Sequence, residues 1–423
     1  METIRLLHTA DIHIGMETYG RVDPATGINA RVMDFLRRLS DMADYAIEQG
    51  IDVFVFAGDA YRTRDPNPTY QREFARRIKQ IADAGIPVIL LVGNHDMPSV
   101  AKRASSITIF DTLDVPNVYV GDREALREVA CRRGQPLLVA TVPYPLRSTL
   151  VSREGQQGKS LAELDVLLQN TMIDNIRALA EQARQRPEVP AILVGHFSLN
   201  EASPGTERNI MIGRDAAIPR SVLADPAWRY VALGHIHKHQ SLNRDLQPPI
   251  VYSGSIERID FGEEDHPKGF VVAEIGEGAT AWQFMPGYKR RARRFVTVRV
   301  DVRETPDPTA AVVRAIGQAD LTDAVVRVVV QLRQEQEALL IEREIQQALQ
   351  SAYFVAALQK DVERAKRRRL GGIPVESQTP AELLAEYLKV KGVSEQRAKV
   401  LLKYADALMQ GDAPDGAPNA IRS

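Results

Sequence analysis

Five short polar segments carry the residues able to do chemistry in this chain: Asp11-Ile12-His13, Gly58-Asp59, Gly93-Asn94-His95-Asp96, Gly195-His196 and Gly234-His235-Ile236-His237. Asp11, His13, Asp59, Asn94, His196, His235 and His237 offer carboxylate, amide and imidazole ligands and no sulfur, a mixture that suits Mn²⁺, Fe²⁺ or Zn²⁺. They are too many for one tetrahedral ion. If one carboxylate bridges, they divide into two sets of four. Paired ions about 3.5–4 Å apart clamp the attacking and leaving oxygens of a displacement at phosphorus and activate a water as nucleophile. That chemistry needs no Ser or Cys nucleophile. His95 follows Asn94 directly and is free to face substrate, where it stabilises the phosphoryl group or protonates the leaving oxygen. Any one of these residues alone is more often structural; their joint occurrence is what argues for a dinuclear site.

Each segment follows an apolar run, such as Val53-Phe54-Val55-Phe56-Ala57 or Val88-Ile89-Leu90-Leu91-Val92. Strands are expected at 4–9, 52–57, 87–92, 137–141, 191–195, 230–234, 250–253 and 270–275. Helical spacing links Val32, Phe35, Leu36, Leu39, Met42, Ala43 and Ile47, and a second helix is expected from Thr69 to Ala84. Alternating strands and helices indicate βα units. The site residues then fall at the carboxyl ends of strands, where open α/β sheets place ligands.

The chain has 423 residues, too many for one ordinary core, and its 44% apolar and 26% charged content is that of a globular protein. No apolar run is long enough to cross a bilayer, so no membrane association is expected. The first expected strand already carries site residues, so a cleaved leader is not expected and the location is read as cytoplasmic. Cys131 is the only cysteine, which excludes an internal disulfide and thiolate metal sites. The net charge of −1 is uninformative about nucleic acid. Two basic runs, Lys289-Arg290-Arg291 with Arg293-Arg294 and Arg364 with Lys366 to Arg369, are either phosphate contacts or solvated faces.

Composition shifts near Pro286. Beyond it, a strand from Phe295 to Val300, a helix from Ala310 to Ile316, a strand from Val325 to Leu332 and a helix from Glu335 to Leu349 make a small α+β unit. Leu370-Gly371-Gly372-Ile373-Pro374 reads as a linker. Thr379-Pro380-Ala381-Glu382 opens a helix with a capping box. Gly392 separates it from a second helix with Ala398, Leu401, Leu402, Ala405, Leu408 and Met409 as its apolar stripe. Two short helices are not stable alone, so they either pack on the preceding unit or dock on a partner. The domains expected are therefore 1–285, 286–370, a linker at 371–379, a helix pair at 380–410 and a disordered tail at 411–423.

The series Asp-x-His, Gly-Asp, Gly-Asn-His-Asp, Gly-His and Gly-His-x-His resembles the calcineurin-like metallophosphoesterases. Within them the chain is similar to the SbcD nuclease family, through His8-Thr9-Ala10-Asp11-Ile12-His13-Ile14-Gly15 and Tyr252-Ser253-Gly254-Ser255-Ile256-Glu257-Arg258. The resemblance implies an α/β fold with a β-sandwich flanked by helices, a DNA-capping domain, and a C-terminal helix pair that binds a coiled-coil ATPase, SbcC. It implies one Mn²⁺ at Asp11, His13, Asp59 and His237, and a second at Asp59, Asn94, His196 and His235. His95 takes the role of catalytic histidine. A homodimer formed through helices of the first domain, a nucleoid location, and exonuclease and endonuclease action in DNA repair, recombination and replication also follow from it. One departure stands out. Three residues after the bridging Asp, relatives often carry His or Asp; here it is Arg62, which cannot accept a proton but can bind phosphate.

Tyr61, Arg62 and Arg258 are candidate substrate contacts. Tyr61 either packs near the site or meets substrate, and Arg258 either pairs with Glu257 or approaches DNA. His8 is read as a support of the fold and His239 as facing solvent. Two other functions compete. A phosphatase or cyclic-nucleotide phosphodiesterase would share the metals but has no use for the chain after Pro286, and Ala60-Tyr61-Arg62-Thr63 is not the Asp-Arg-Gly continuation of the protein phosphatases. A degenerate scaffold is disfavoured because every ligand position is filled.

Overall fold

A computed structural model of the protein describes residues 2–97, 104–145, 160–205, 217–243, 246–363 and 380–410. Runs such as Val53-Phe54-Val55-Phe56 bury both faces of a strand, so successive side chains serve two different cores. Val53 and Val55 point into one apolar cluster, and Phe54 and Phe56 into another. That requirement produces four layers, helices on the outside and two sheets within.

The strands are β1 (Ile4–Thr9), β2 (Val53–Phe56), β3 (Val88–Leu91), β4 (Val118–Gly121), β5 (Ala125–Ala130), β6 (Pro136–Val142), β7 (Ala191–His196), β8 (Tyr230–Gly234), β9 (Gln240–Ser241), β10 (Ile250–Tyr252), β11 (Phe270–Ile275) and β12 (Ala281–Met285). One sheet runs β12-β11-β1-β2-β3-β4 and the other β5-β6-β7-β8-β10-β9. Strands β1 to β4 are mutually parallel, as are β6, β7, β8 and β10. Ile4, Leu6, Ile89 and Leu91 from the first sheet meet Leu137, Val139, Ile192, Val194 and Ala232 from the second. Helices α1 (Ala30–Glu48) and α2 (Pro68–Asp83) cover the outside of the first sheet. After the single turn α3 (Ile109–Thr112), the long helix α4 (Leu161–Arg184) covers the second. Asn29 and Asn67 cap α1 and α2 by accepting from backbone amides in the first turn, and a Ser160–Glu163 capping box starts α4.

Phe295 opens a separate three-stranded sheet made of β13 (Phe295–Asp301), β14 (Val325–Arg333) and β15 (Phe354–Glu363), with α5 (Pro308–Gln318) and α6 (Glu342–Ala348) between them. All three strands are parallel. The single helix expected from Glu335 to Leu349 is not formed. Gln334–Leu339 is a 3-10 turn, and the chain extends before α6 starts. Thr309 causes the break: its hydroxyl donates to Leu339 O at 2.8 Å and accepts from Ile341 N at 3.0 Å, consuming groups a continuous helix would pair internally.

The 289–294 run is largely exposed, and most of its charges are paired with carboxylates. Lys289 Nζ lies 2.7 Å from Asp44 and 2.9 Å from Glu48, Arg290 pairs with Asp41, and Arg293 makes two bonds to Asp34 at 2.6 and 2.9 Å. The run therefore clasps the acidic side of α1 and ties the third sheet to the sandwich. The second basic run, the 371–379 linker, the Thr379 cap and the 411–423 tail lie outside the described residues. Helices α7 (Pro380–Val390) and α8 (Glu395–Gln410) pack on each other around a left-handed Gly392 at φ 68°. Tyr387, Val400, Leu401 and Tyr404 on them are exposed. Among the described residues no helix is long and apolar enough to cross a membrane.

Candidate metal centre

The turns after the strands adopt backbone shapes that side chains normally avoid. Asp11, His13, Asp59 and His235 have φ of 53°, 50°, 62° and 93°. Such strain costs about 1–3 kcal/mol per residue and persists only where the surroundings impose it. Here the turns hold one another. Asp11 N donates to Gly58 O at 3.0 Å, and Ile12 N and His13 N share Asp59 O at 2.9 and 3.1 Å. The buried Asp96 carboxylate accepts from Asp59 N, Ala60 N, Gly93 N and Tyr61 N at 2.9, 3.0, 3.1 and 3.3 Å. It thereby pins the β2 and β3 turns together; burial and the neighbouring Asp59 charge push its carboxyl up to about 7. A Cβ on Gly93 would overlap the Asp59 carboxylate, and one on Gly58 would overlap the His196 ring.

These turns converge seven ligand-type side chains. Asp11, His13 and His237 bring one ligand atom each within 4.8 Å of one another, as do Asp11, Asp59 and His196. Asp11 belongs to both groups, and Asp59 Oδ2 sits 3.7 Å from His13 Nε2 and 3.4 Å from His196 Nε2. Asn94 Oδ1 lies 2.9 Å from His196 Nε2 and 3.0 Å from His235 Nδ1. His13 Nε2 and His237 Nε2 face each other at 2.9 Å.

The outer nitrogens explain which ring atoms turn inward. His196 Nδ1 lies 2.7 Å from Ala57 O, and His237 Nδ1 lies 2.9 Å from Glu263 Oε1. Each oxygen takes an N–H, which leaves the Nε2 lone pairs directed into the cluster. Converging O and N ligand atoms, with the outer N–H groups of His196 and His237 spent elsewhere, fit divalent cations. Burial depresses the His196 imidazole, but the Asp59 and Asp11 charges outweigh it and push it up to about 9.

His95 stands at the edge of the cluster. Its N–H donates to Asp59 Oδ1 at 2.8 Å, and its Nδ1 lies 2.7 Å from Arg62 O. Its ring meets His13 edge-on with centroids 4.8 Å apart. A ring nitrogen of His95 also comes within 4.8 Å of ligand atoms on His13 and Asp59. Arg62 is exposed and stays a candidate substrate contact.

The other two candidate contacts have partners within the fold. Tyr61 is 1% exposed and packs edge-on against Phe74. Arg258 spends its guanidinium on the carbonyls of Glu263, Glu264, Arg293 and His266 at 3.0–3.2 Å. It braces the fold, tying the Glu263 turn to the chain at His266 and Arg293. Glu257 pairs with neither Arg258 nor solvent; it is buried 3.5 Å from Arg31 and accepts from Arg293 N. His239 is half-buried, stacked on Phe284 at 4.0 Å. His8 is buried, 3.1 Å from the Tyr230 hydroxyl.

Two residues that no sequence pattern singles out belong here. Tyr144 lays its ring 5.5 Å from that of His235. Glu263, fully buried, accepts from His237 and from Lys268 Nζ at 3.0 Å. Burial alone would raise its carboxyl, but Lys268 and the His237 bond hold it well below the usual range. No local pattern marks a glutamate in a short turn 26 residues from the histidine it serves.

The chain is 28% identical to the SbcD subunit of the SbcCD nuclease of Bacillus subtilis over 289 residues, 66% of this chain and 68% of that one. It is 28% identical to the protein of the same name from Rhodobacter capsulatus, over 65% of this chain and 67% of that one. The DNA double-strand break repair protein Mre11 of Archaeoglobus fulgidus is 25% identical over 62% of this chain, which spans only 52% of that relative. Residues 4–239, the stretch that contains every converging turn, match the calcineurin-like phosphoesterase family, and the chain belongs to it.

Proposed function

We propose that this protein is a Mn²⁺-dependent DNA nuclease, the nuclease subunit of an SbcC–SbcD-type complex, acting as exonuclease on duplex ends and endonuclease on single strands and hairpins. The observation that carries the reading is the convergence of these ligand-type side chains, with Asp59 Oδ2 near both His13 and His196 and with His95 beside them. Asp11, His13, Asp59 and His237 would hold one ion, and Asp59, Asn94, His196 and His235 the other. When bound, two divalent ions supply Lewis-acid polarisation of the phosphoryl group and activation of the attacking water. The chain's own part is positioning. Asp96 fixes the Asp59 and Asn94 turns, and Ala57 O and Glu263 orient the rings of His196 and His237. The Arg62 carbonyl takes the Nδ1 proton of His95, so that Nε2 is the atom that meets the phosphoryl or leaving oxygen.

DNA as substrate draws its support from the similar proteins, which are named as a nuclease subunit and a DNA break repair protein. The test is hydrolysis of blunt duplex and hairpin DNA with Mn²⁺ against Mg²⁺. The expected result is cleavage of both substrates with Mn²⁺, abolished by chelation. Turnover of a nucleoside monophosphate or cyclic nucleotide with DNA left intact would instead select the phosphatase or phosphodiesterase reading.

The proposed complex pairs a homodimer of this chain with a coiled-coil ATPase in DNA repair, recombination and replication, in the cytoplasm at the nucleoid. The exposed Tyr387, Val400, Leu401 and Tyr404 of α7 and α8 support docking of the helix pair on that partner. Deleting 380–410 is expected to abolish co-purification with the ATPase while leaving Mn²⁺-dependent hydrolysis of hairpin DNA in place. Undiminished co-purification would remove the helix pair from the interface.

A further inference from the structure

Glu263 does more than close the turn it sits in. Its Oε1 takes the His237 Nδ1 proton, while Oε2 accepts from Lys268 Nζ at 3.0 Å and Ile259 N at 2.8 Å. Lys268 Nζ also donates to His237 O at 3.1 Å and to Ser255 Oγ at 2.6 Å. The ring of His237 and its own main chain are thus gripped by one buried ion pair. A salt bridge serving the fold alone would not need the imidazole. By spending one carboxylate oxygen on it, the pair fixes the tautomer and tilt of His237.

The turn that carries Glu263 is in turn braced by the third sheet. Glu264 accepts from Thr297 N at 2.7 Å and Thr297 Oγ1 at 2.6 Å, on β13. Phe261 packs edge-on against Phe295 at 5.0 Å and Tyr19 at 5.6 Å, and the Arg327 guanidinium lies 4.4 Å over its ring. Residues 261, 263 and 264 of one short turn therefore touch, respectively, the β13 and β14 side chains, the ligand histidine, and the β13 backbone.

We infer that Glu263 is a positioning residue for His237, and that docking of the third sheet onto the Phe261–Glu264 turn sets how tightly one of the two ions is held. The inference rests on the two-ion reading of the cluster. It is selective, because Glu263 touches only the group formed by Asp11, His13 and His237.

The test is Mn²⁺ titration of the chelator-stripped full chain by calorimetry, with electron paramagnetic resonance to report whether neighbouring ions are coupled. Glu263→Gln keeps the shape and an acceptor but removes the charge. It is expected to weaken one ion about 10–100-fold, the usual cost of losing an outer partner of a metal-bound histidine. The other ion stays, and the coupled spectrum gives way to that of an isolated Mn²⁺ at sub-saturating metal. Glu264→Ala, at a partly exposed position that touches no ligand, is expected to weaken the same ion by a smaller factor, and this arm stands if Glu263→Gln does not fold. Two ions of unchanged affinity in both variants would overturn the inference alone. Fewer than two ions in the unmutated chain would overturn the two-ion reading, and the inference with it.

Discussion

His95→Ala is expected to lower DNA hydrolysis by roughly 10²–10⁴-fold, the range for a lost proton-transfer or charge-stabilising group, with both Mn²⁺ ions still bound. The Arg62 carbonyl, 2.7 Å from Nδ1, accepts the N–H on that nitrogen and so orients the ring. Arg62 N is itself held by Ile14 O at 3.0 Å, so this carbonyl is not free to drift. Nε2, on the far side of the ring, is left for substrate. Because the main chain does the holding, the side chain at 62 is released from that duty. An arginine is then tolerated where the resembled family often has His or Asp, and its guanidinium can serve the phosphate instead. The rival role for His95 is ligation, since it approaches His13 and Asp59 as closely as true ligands would. Counting ions decides between the two. Lost activity with two ions retained assigns His95 to the reaction; loss of one ion assigns it to the metal; retained activity removes it from both.

The site was legible from sequence because its residues sit immediately after strands, and strands read as short apolar runs. Asp11, Asp59, Asn94, His196 and His235 all emerge where a run such as Val53–Ala57 ends, so period and position coincide. What stayed hidden depends on pairings between distant segments. Arg258 and the 289–294 run look like phosphate contacts in one dimension. Only the fold shows that α1 supplies Asp34, Asp41, Asp44 and Glu48 to the run and that four carbonyls occupy Arg258. Edge strands β5 and β15 were missed because solvent-facing charges such as Arg127, Glu128, Lys360 and Asp361 dilute their alternation. Helix α4 carried a readable signal, the Ser160-x-x-Glu163 box, ahead of an apolar stripe. Glu263 carried none.

Asp59→Asn tests the bridge, and its effect should be the more general one. Asp59 reaches toward both proposed ligand sets, with Oδ2 3.4 Å from His196 Nε2 and 3.7 Å from His13 Nε2. Its other oxygen accepts from His95 N at 2.8 Å. In the asparagine variant that backbone bond selects the amide oxygen, which turns the NH₂ toward the two imidazoles. A cation then meets two protons where a carboxylate oxygen stood. Both ions should be weakened by more than the ~100-fold upper range of outer-partner changes, and hydrolysis at fixed Mn²⁺ should fall with them. Thermal unfolding separates this outcome from misfolding. Ligand that binds only the folded state stabilises by about 2.7 kcal/mol at one hundred times its dissociation constant, so Mn²⁺ should raise the Tm of the unmutated chain and of His95→Ala. The asparagine variant should unfold cooperatively in chelator, since it has one fewer buried charge to accommodate, yet gain almost nothing from Mn²⁺. A metal-dependent Tm rise equal to that of the unmutated chain would show that the ions do not share Asp59, and the division of the cluster into two sets around it would have to be redrawn.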